Sequence, residues 1–562
     1  MTDANVPLRA RTDALPADVV GLSEVARAAL AAGPRFAPLP VALRPGDIPR
    51  PAERLGAEER EVLTGLLRAG YQDAGVAVRP EVDASLAALA HPGVSAVLTG
   101  QQPGFAAAPL YSLYKALQAC RLAEELTRLH GERVVPIFWN HADDHDIAEV
   151  HHAWLLNRNL DLQKVGLSGL SSGRVPVGEL FLDDEAQALG AVAAQLRGVV
   201  EEHAGADAAV DLFTPKDGET LARAFTRALD ALAGRFGLIV SEPAWIRPLL
   251  SSELGRIVSG LGAGPALTDA LRAGEEELGG LGLPAPIPVG DGGSDAAALV
   301  YRHVEGERVA LRAGGEGLVQ DGKDASWTHA ELGSRIVGTQ DEWSAGALVR
   351  PLVQDAVFPA VAYVGGWGEL GYHAQLGPAR DAAGLARTPF VPRVSVTIVD
   401  DETRYALTRV GSPGIAEVLG ALGTWQPASD DSAEPTVVGA LNALAERTRD
   451  ALLEHRAALS ELEPALAITL KKTAGHVEQS IGKVVAKALR VHDNRAGKGA
   501  RQLRRVNNTL CPRGAPQERV LGPFQFVARY GGDRFVDALR AELPATATEH
   551  LVLHLVEEEN QP

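Results

Sequence analysis

The chain has 562 residues, enough for three or four domains, and with 46% hydrophobic and 22% charged residues it is not disordered throughout. A net charge of −18 argues against general nucleic-acid binding, and two cysteines, Cys120 and Cys511, exclude a disulfide scaffold or a multi-cysteine metal site. No apolar signal region opens the chain and no run reaches the roughly 20 apolar residues of a membrane span, so a cytoplasmic protein without a membrane partner is expected.

Residues 1–90 read as a helical or irregular segment packed on a core. They are Pro- and Ala-rich to about residue 50, with a short helix over Ser23–Ala32 and helical patterns over Ala57–Ala74 and Val82–Leu89. Residues 91–250 form the first half of that core. Val94–Leu98 has the length of a buried strand, and the glycine turn Thr99-Gly100-Gln101-Gln102-Pro103-Gly104 follows. From Pro109, Leu110, Leu113, Tyr114, Leu117 and Cys120 recur at helical steps until His130-Gly131, and Val134–Trp139 is a second apolar run. Strand, turn, helix and strand make a βαβ unit, whose ligands lie beyond the carboxyl ends of its strands.

Further along, Asp184–Leu196 and Gly218–Arg235 read as helices and Leu238–Val240 as a third core strand. Residues 251–345 change texture. A helix over Ser252–Ala273 leads into hairpin-like alternations near Ala298–Val304, Arg308–Arg312 and Gly317–Asp321, an inserted mixed domain of small strands. Residues 346–435 resume the core at Ala360–Val364 and Phe390–Ile398, then become a linker. Residues 436–510 carry sparse seams of threes and fours on two helices turning at Glu463-Pro464, a coiled-coil hairpin. Residues 511–562 add a helix over Asp533–Leu543 and a strand over His550–Val556 that pack back on the core.

Four clusters can carry chemistry. The Gly100–Gly104 turn before a helix offers backbone N–H groups to an anion, with Gln101 and Gln102 adding uncharged donors and acceptors; it also reads as a plain strand-to-helix turn. In Asp144-His145-Asp146, carboxylates flank an imidazole, an arrangement for acid–base work, for a divalent metal, or for a solvated loop. Asp143, His141, Glu149, His151 and His152 stand nearby, and no HExxH spacing is present. Glu369, Tyr372 and Gln375 fall on one helical face after Gly365-Gly366, with Arg350 upstream. Ten Lys and Arg residues from Lys471 to Arg505 form either a solvated face or a phosphate or partner surface.

Several stretches resemble one family. TGQQPG, APLYSLYKAL, VVPIFW, DDHD, VHHAWL, RPLVQD, AYVGGWGELGYHAQL, VPR and PQERVLGPFQFVARYG, in this order, are similar to BshC, the cysteine ligase family of bacillithiol biosynthesis. The likeness runs from about Val97 to the C-terminus and is weakest over 251–345. It departs at His141 and Trp367, where the family usually has smaller residues, and at Ala106–Ala108, which replace a more usual Gly-containing segment. The resemblance implies an α/β fold: a Rossmann-like parallel-sheet core related to class I aminoacyl-tRNA synthetases, with inserted small domains and a C-terminal antiparallel helical coiled-coil hairpin that makes a homodimer. It also implies amide formation between the cysteine carboxyl and the amine of glucosaminyl-malate.

By analogy with such synthetases, ATP, with Mg²⁺, activates the carboxylate near Thr99, Gly100, Gly104, Arg350, Arg393 and Ser395. Asp144, His145, Asp146 and His152 are the expected catalytic groups, with His145 or Asp144 as base. Gln101, Gln102, Tyr111, Trp139, Gly365, Gly366, Glu369, Tyr372 and Gln375 are the expected substrate contacts. No residue is assigned as a metal ligand. Pre-activated cysteine as acyl donor, a metal-dependent hydrolase or amidase, and a non-catalytic pathway scaffold remain alternatives.

Overall fold

The structure is a computed structural model that describes residues 8–50, 55–170, 173–183, 187–260, 266–290, 296–314, 317–321, 325–425, 436–496 and 498–557. Five buried apolar runs form its central sheet, in the spatial order Phe390–Pro392, Ala360–Gly365, Ser95–Gln101, Val134–Asn140, Ile239–Ser241. Every neighbouring pair is parallel. Parallel strands are covered on both faces, and for that reason their sequences are continuous hydrophobic runs. The winding reverses between Ser95–Gln101 and Ala360–Gly365, the Rossmann-like arrangement, and a crevice opens beyond the strand ends at such a reversal.

The helix Leu110–His130 makes the first crossover and ends on Gly131 at φ 74°, a left-handed cap that glycine adopts without a Cβ clash. It does not begin at the glycine turn. A 3-10 turn, Phe105–Ala107, intervenes, and Leu110 N–H donates to Leu521 O at 2.7 Å. Ala106 and Ala107 both hold φ of 53°. A side chain in that region costs about 1–2 kcal/mol, which explains why a Gly-containing segment suits this loop.

The chain divides into two compact units. The first comprises Met1–Arg158, Leu162–Ile398 and Gln517–Pro562. Besides the central sheet it holds an antiparallel sheet from the insertion, ordered Ser326–Thr328, Gly317–Gln320, Glu307–Gly314, Ala298–Val304, Trp343–Ala345. The helix expected over Ser252–Ala273 is two helices, Arg247–Val258 and Leu267–Gly280. The expected extended run Phe390–Ile398 also divides. Phe390–Pro392 closes the central sheet, while Ser395–Val399 joins a third sheet with Glu549–Glu557 and Leu8–Pro16. Leu8–Pro16 pairs along its whole length with Glu549–Glu557; the Pro- and Ala-rich start had suggested no strand there.

The second unit holds Asn159–Asp161 and Val399–Pro516. Its hairpin sets Thr436–Glu454 and Arg456–Leu462 against Pro464–Ala496, and Lys498–Leu510 continues the chain. Arg449 pairs with Glu478 across the arms at 3.5 Å. Lys471, Lys472, Lys483 and Lys487 of the basic run are exposed, Arg504 pairs with Asp161, and Arg505 donates to Asn159 O. The side chains of Arg490, Arg495 and Lys498 lie outside the described residues. Among the described residues no helix is long and apolar enough to cross a membrane.

Candidate active site

The strand Ser95–Gln101 delivers Gly100 and Gln101 to the mouth of the crevice. A Cβ on Gly100 would meet Trp139 O at 2.6 Å and His141 Nε2 at 3.2 Å, so only glycine lets the two strand ends approach. Behind this backbone stands Lys115, fully buried on the crossover helix. Its ammonium donates to Gly100 O at 2.7 Å and Gln101 Oε1 at 3.1 Å, and it pairs with Glu369. Glu369 belongs to the short helix Trp367–Ala374 after the neighbouring strand. It also accepts from Gly366 N at 3.0 Å and Tyr363 OH at 2.9 Å. Burial alone would push the Glu369 carboxyl up; Lys115, the Gly366 amide and the Tyr363 hydroxyl outweigh it and hold the group below the usual carboxylate range. A buried lysine paired with a partly exposed glutamate thus bridges the two strands at the switch point.

The Val134–Asn140 strand delivers the acidic cluster. Gln102 Nε2 donates to Asp144 Oδ2 at 2.5 Å, which ties the glycine turn to that cluster. Asp144 Oδ1 accepts from the amides of His145 at 2.7 Å and Asp146 at 3.3 Å. Asp143 faces the other way and makes a two-point pair with Arg247, which holds its carboxyl low against the upward push of burial.

A cavity of about 320 Å³ adjoins these groups. Asp144, His141, Arg308, Arg350, Tyr301 and Tyr372 give it polar edges, and Trp139, Leu250, Leu254, Trp343 and Val353 give it apolar walls. Such a mixture suits a small polar ligand shielded from water. His141 Nε2 is buried with no hydrogen-bond partner among the described residues, and burial together with Arg350 and Lys115 keeps its imidazole neutral. Arg350 donates to Gln354 Oε1 at 2.7 Å and Tyr372 OH at 3.0 Å, both uncharged. Among the described residues no three His, Cys, Asp or Glu side chains are grouped to hold a metal ion.

Of the expected site residues, Gln101, Gln102, Tyr111, Trp139, Asp144, Arg350, Glu369 and Tyr372 belong to this connected set. Tyr111 OH accepts from Gln101 Nε2 at 3.1 Å, and burial raises its phenol to about 12. His145 and Asp146 stand beside the cavity. The other expected residues serve elsewhere. Thr99 is fully buried and donates to Val364 O at 2.8 Å, joining two core strands. A Cβ on Gly104 would meet Ala108 O at 1.9 Å, so that glycine closes its own loop. The expected anion cradle at a helix start is not formed, since the helix begins at Leu110 and its first amide is engaged.

Arg393 pairs with Glu518 at 2.6 Å and lies 4.8 Å over the Tyr111 ring. Ser395 donates to Glu518 Oε1 at 2.9 Å and contacts His550 Nδ1. Both are buried, and the contacts shown for them go to residues of the fold, chiefly the Glu518 carboxylate. Gln375 caps its helix and donates to Ile287 O at 2.8 Å, anchoring the insertion instead of the ligand face. Gly366 gives its N–H to Glu369, and a Cβ on Gly365 would strike Phe390 and Tyr363. His152 starts a hairpin strand with its ring against His151 and Trp154, outside the cavity lining.

Sequence reasoning missed Lys115, Arg247, Tyr301, Arg308 and Trp343, and it placed His141 at the periphery. Lys115 left one signal, a charged residue within an apolar helical repeat. The residues of the insertion left none, because only its folding back brings them to the crevice.

A Rossmann-like sheet whose switch-point crevice is walled by an inserted sheet defines an α/β enzyme-like core with a convergent polar cleft. The chain belongs to the BshC family. The family domain described as "Bacillithiol biosynthesis BshC, N-terminal Rossmann-like domain" matches residues 49–394, and "Bacillithiol biosynthesis BshC, C-terminal coiled-coil domain" matches 427–555. The chain is 30% identical to a Heliobacterium modesticaldum protein, over 81% of this chain and 82% of that one. It is 29% identical to one of Solibacter usitatus, over 84% and 86%, and 27% identical to one of Salinibacter ruber, over 91% and 93%. Each of these relatives bears the name "Putative cysteine ligase BshC".

Proposed function

We propose that this chain joins the carboxyl group of cysteine to the amine of glucosaminyl-malate in the switch-point crevice. The observation that supports this most is Arg350. Its guanidinium edges the cavity, and its hydrogen bonds go to a neutral amide and a neutral phenol. Glu369 lies near enough to act on its charge, but among the described residues Arg350 makes no ion pair, and a shielded arginine of this kind suits a carboxylate or phosphate. His141, which also lines the cavity, has a buried Nε2 with no hydrogen-bond partner among the described residues.

Carboxylate is a poor electrophile; ATP with Mg²⁺, its phosphate met by Arg350 at the cavity edge, would supply the activation. The chain's own residues do the rest. Arg350 holds the anion. Gln102 and the amides of His145 and Asp146 fix the Asp144 carboxylate, which accepts the proton that the sugar amine releases as its nitrogen bonds to the carbonyl carbon. Trp139, Leu250, Leu254 and Trp343 keep water from the activated acyl group. The protein with glucosaminyl-malate, cysteine and ATP–Mg is expected to give the thiol product and AMP by mass spectrometry. ADP in place of AMP would indicate an acyl phosphate, and no product from any cysteine donor would overturn the reading.

We also propose a homodimer built on the coiled-coil hairpin. Val437, Leu444, Leu462, Leu466, Ile468 and Val484 are exposed on its arms, an apolar surface suited to a second copy. Light scattering is expected to give twice the chain mass, and Leu466→Glu with Ile468→Glu to give monomers. A wild-type monomer at micromolar concentration would refute this.

A further inference from the structure

The inserted sheet reaches His145 through Arg308. Arg308 Nη1 lies 3.2 Å from His145 Nδ1. A guanidinium carries only donors, so Nδ1 must accept, and the proton of the neutral ring sits on Nε2. We propose that Arg308 is a positioning residue that fixes His145 as the Nε2-protonated tautomer, so the ring offers the substrate a hydrogen-bond donor and not a base. The donor role rests on the amide-forming reading above; the tautomer rests on geometry alone.

Arg308 has no freedom to turn away. Its side chain is 5% exposed, and its guanidinium carbon lies 3.8 Å from the centre of the Tyr301 ring. Nε donates to Ser344 Oγ at 3.2 Å and Nη2 to Ala345 O at 3.4 Å. Tyr301, Arg308 and Ser344 come from three neighbouring strands of the inserted sheet, so the fork is held from three sides. Tyr301 also sets its ring across the imidazole, with centroids 5.6 Å apart and planes at 64°. The arginine, the tyrosine and the histidine therefore form one locked stack.

The competing arrangement is a protonated Nδ1 donating to Asp144 Oδ1. That distance is 3.7 Å, beyond a hydrogen bond, and Asp144 Oδ1 already accepts two backbone amides. The groups facing the ring from every side are Arg308 and Arg174, which disfavour a charge on it, and Asp144 and Asp146, which favour one. Burial, then Arg308, prevails, and the imidazole is held below its ordinary value and neutral. Among the described residues Nε2 has no hydrogen-bond partner, while Asp144, Tyr301 and Arg308 line the cavity beside it.

This arrangement separates two roles. When the amine nitrogen bonds to the activated carbonyl carbon, negative charge gathers on the carbonyl oxygen until the bond to the leaving phosphoryl oxygen breaks. The amine proton goes to Asp144. The Nε2–H donates a hydrogen bond to the charged oxygen and transfers nothing, which is the use of a neutral imidazole as an oxyanion donor.

Ring-¹⁵N chemical shifts of the histidine-labelled full-length protein, assigned by the signal lost in His145→Gln, test this without any assay of activity. The expected result is a bare Nδ1 and a protonated Nε2 from about pH 6 to 8, changing in Arg308→Gln to a mixed tautomer that titrates at higher pH. Should Arg308→Gln fail to fold, the wild-type spectrum still decides. In the amide-forming assay, His145→Gln, whose amide N–H lies near Nε2, is expected to stay within about 10-fold of wild type, and His145→Asn to fall about 10²–10³-fold. A proton on Nδ1 in the wild type overturns the proposal. Equal losses in the two variants, with an activity limb that follows the His145 titration, overturn the donor role. If no variant and no wild type makes amide, the reaction assigned above fails while the spectrum still settles the tautomer.

Discussion

Lys115→Met is expected to destabilise the protein by about 3 kcal/mol, the largest stability effect of any single change at the crevice. Lys115 is fully buried, and its ammonium is what offsets the Glu369 carboxylate beneath the strand ends. Methionine replaces the stem but leaves Gly100 O and Gln101 Oε1 without the ammonium donor, and Glu369 with only the Gly366 amide and the Tyr363 hydroxyl. An uncompensated carboxylate costs more than the pair contributes, so Lys115→Met with Glu369→Gln is expected to recover a large part of the loss. The pair also carries a pH signature. Because Glu369 is held below its ordinary value of about 4.3, the stability it contributes is complete above that pH and disappears as pH falls through the lower folded value. Urea unfolding at a series of pH values checks both statements. A Lys115→Met protein within about 1 kcal/mol of wild type, a typical single-mutant effect, would mean that the pair is no anchor.

Asp144→Asn is expected to lower amide formation by about 10²–10⁴-fold with little change in melting temperature. The substitution keeps an oxygen for the His145 and Asp146 amides, and the Gln102 amide can turn to accept from the new nitrogen. It removes only the charge and the proton acceptor. Its neighbour gives the control. Asp143→Asn breaks the two-point pair with buried Arg247, so its expected effect is on stability first. Product rates by mass spectrometry beside melting curves distinguish the two. An Asp144→Asn enzyme within a few-fold of wild type would remove Asp144 from the chemistry.

The parts of the fold that follow local rules were legible in the sequence. Val94–Leu98 and Val134–Trp139 announce buried parallel strands because such strands are apolar on both faces, and His130-Gly131 announces a helix end because glycine tolerates the left-handed cap. Pairings distant in sequence were not. Leu8–Pro16 alternates without strong hydrophobicity and becomes a strand only because Glu549–Glu557 lies beside it. In the site, Gln102, Asp144 and Glu369 converge as their places after strand ends suggest. Arg393 and Ser395, within the extended run and expected near the nucleotide, are both engaged by Glu518, more than a hundred residues on. A charged residue's spacing shows where it stands on an element and not which partner arrives from another part of the chain.

The insertion has a consequence for selectivity. Tyr301, Arg308 and Trp343 form one side of the cavity, whereas the Lys115–Glu369 bridge and Asp144 belong to the central scaffold. Substitutions at Trp343 can therefore alter which acceptor fits while leaving the Lys115–Glu369 bridge and Asp144 in place, whereas Tyr301 and Arg308 also hold His145.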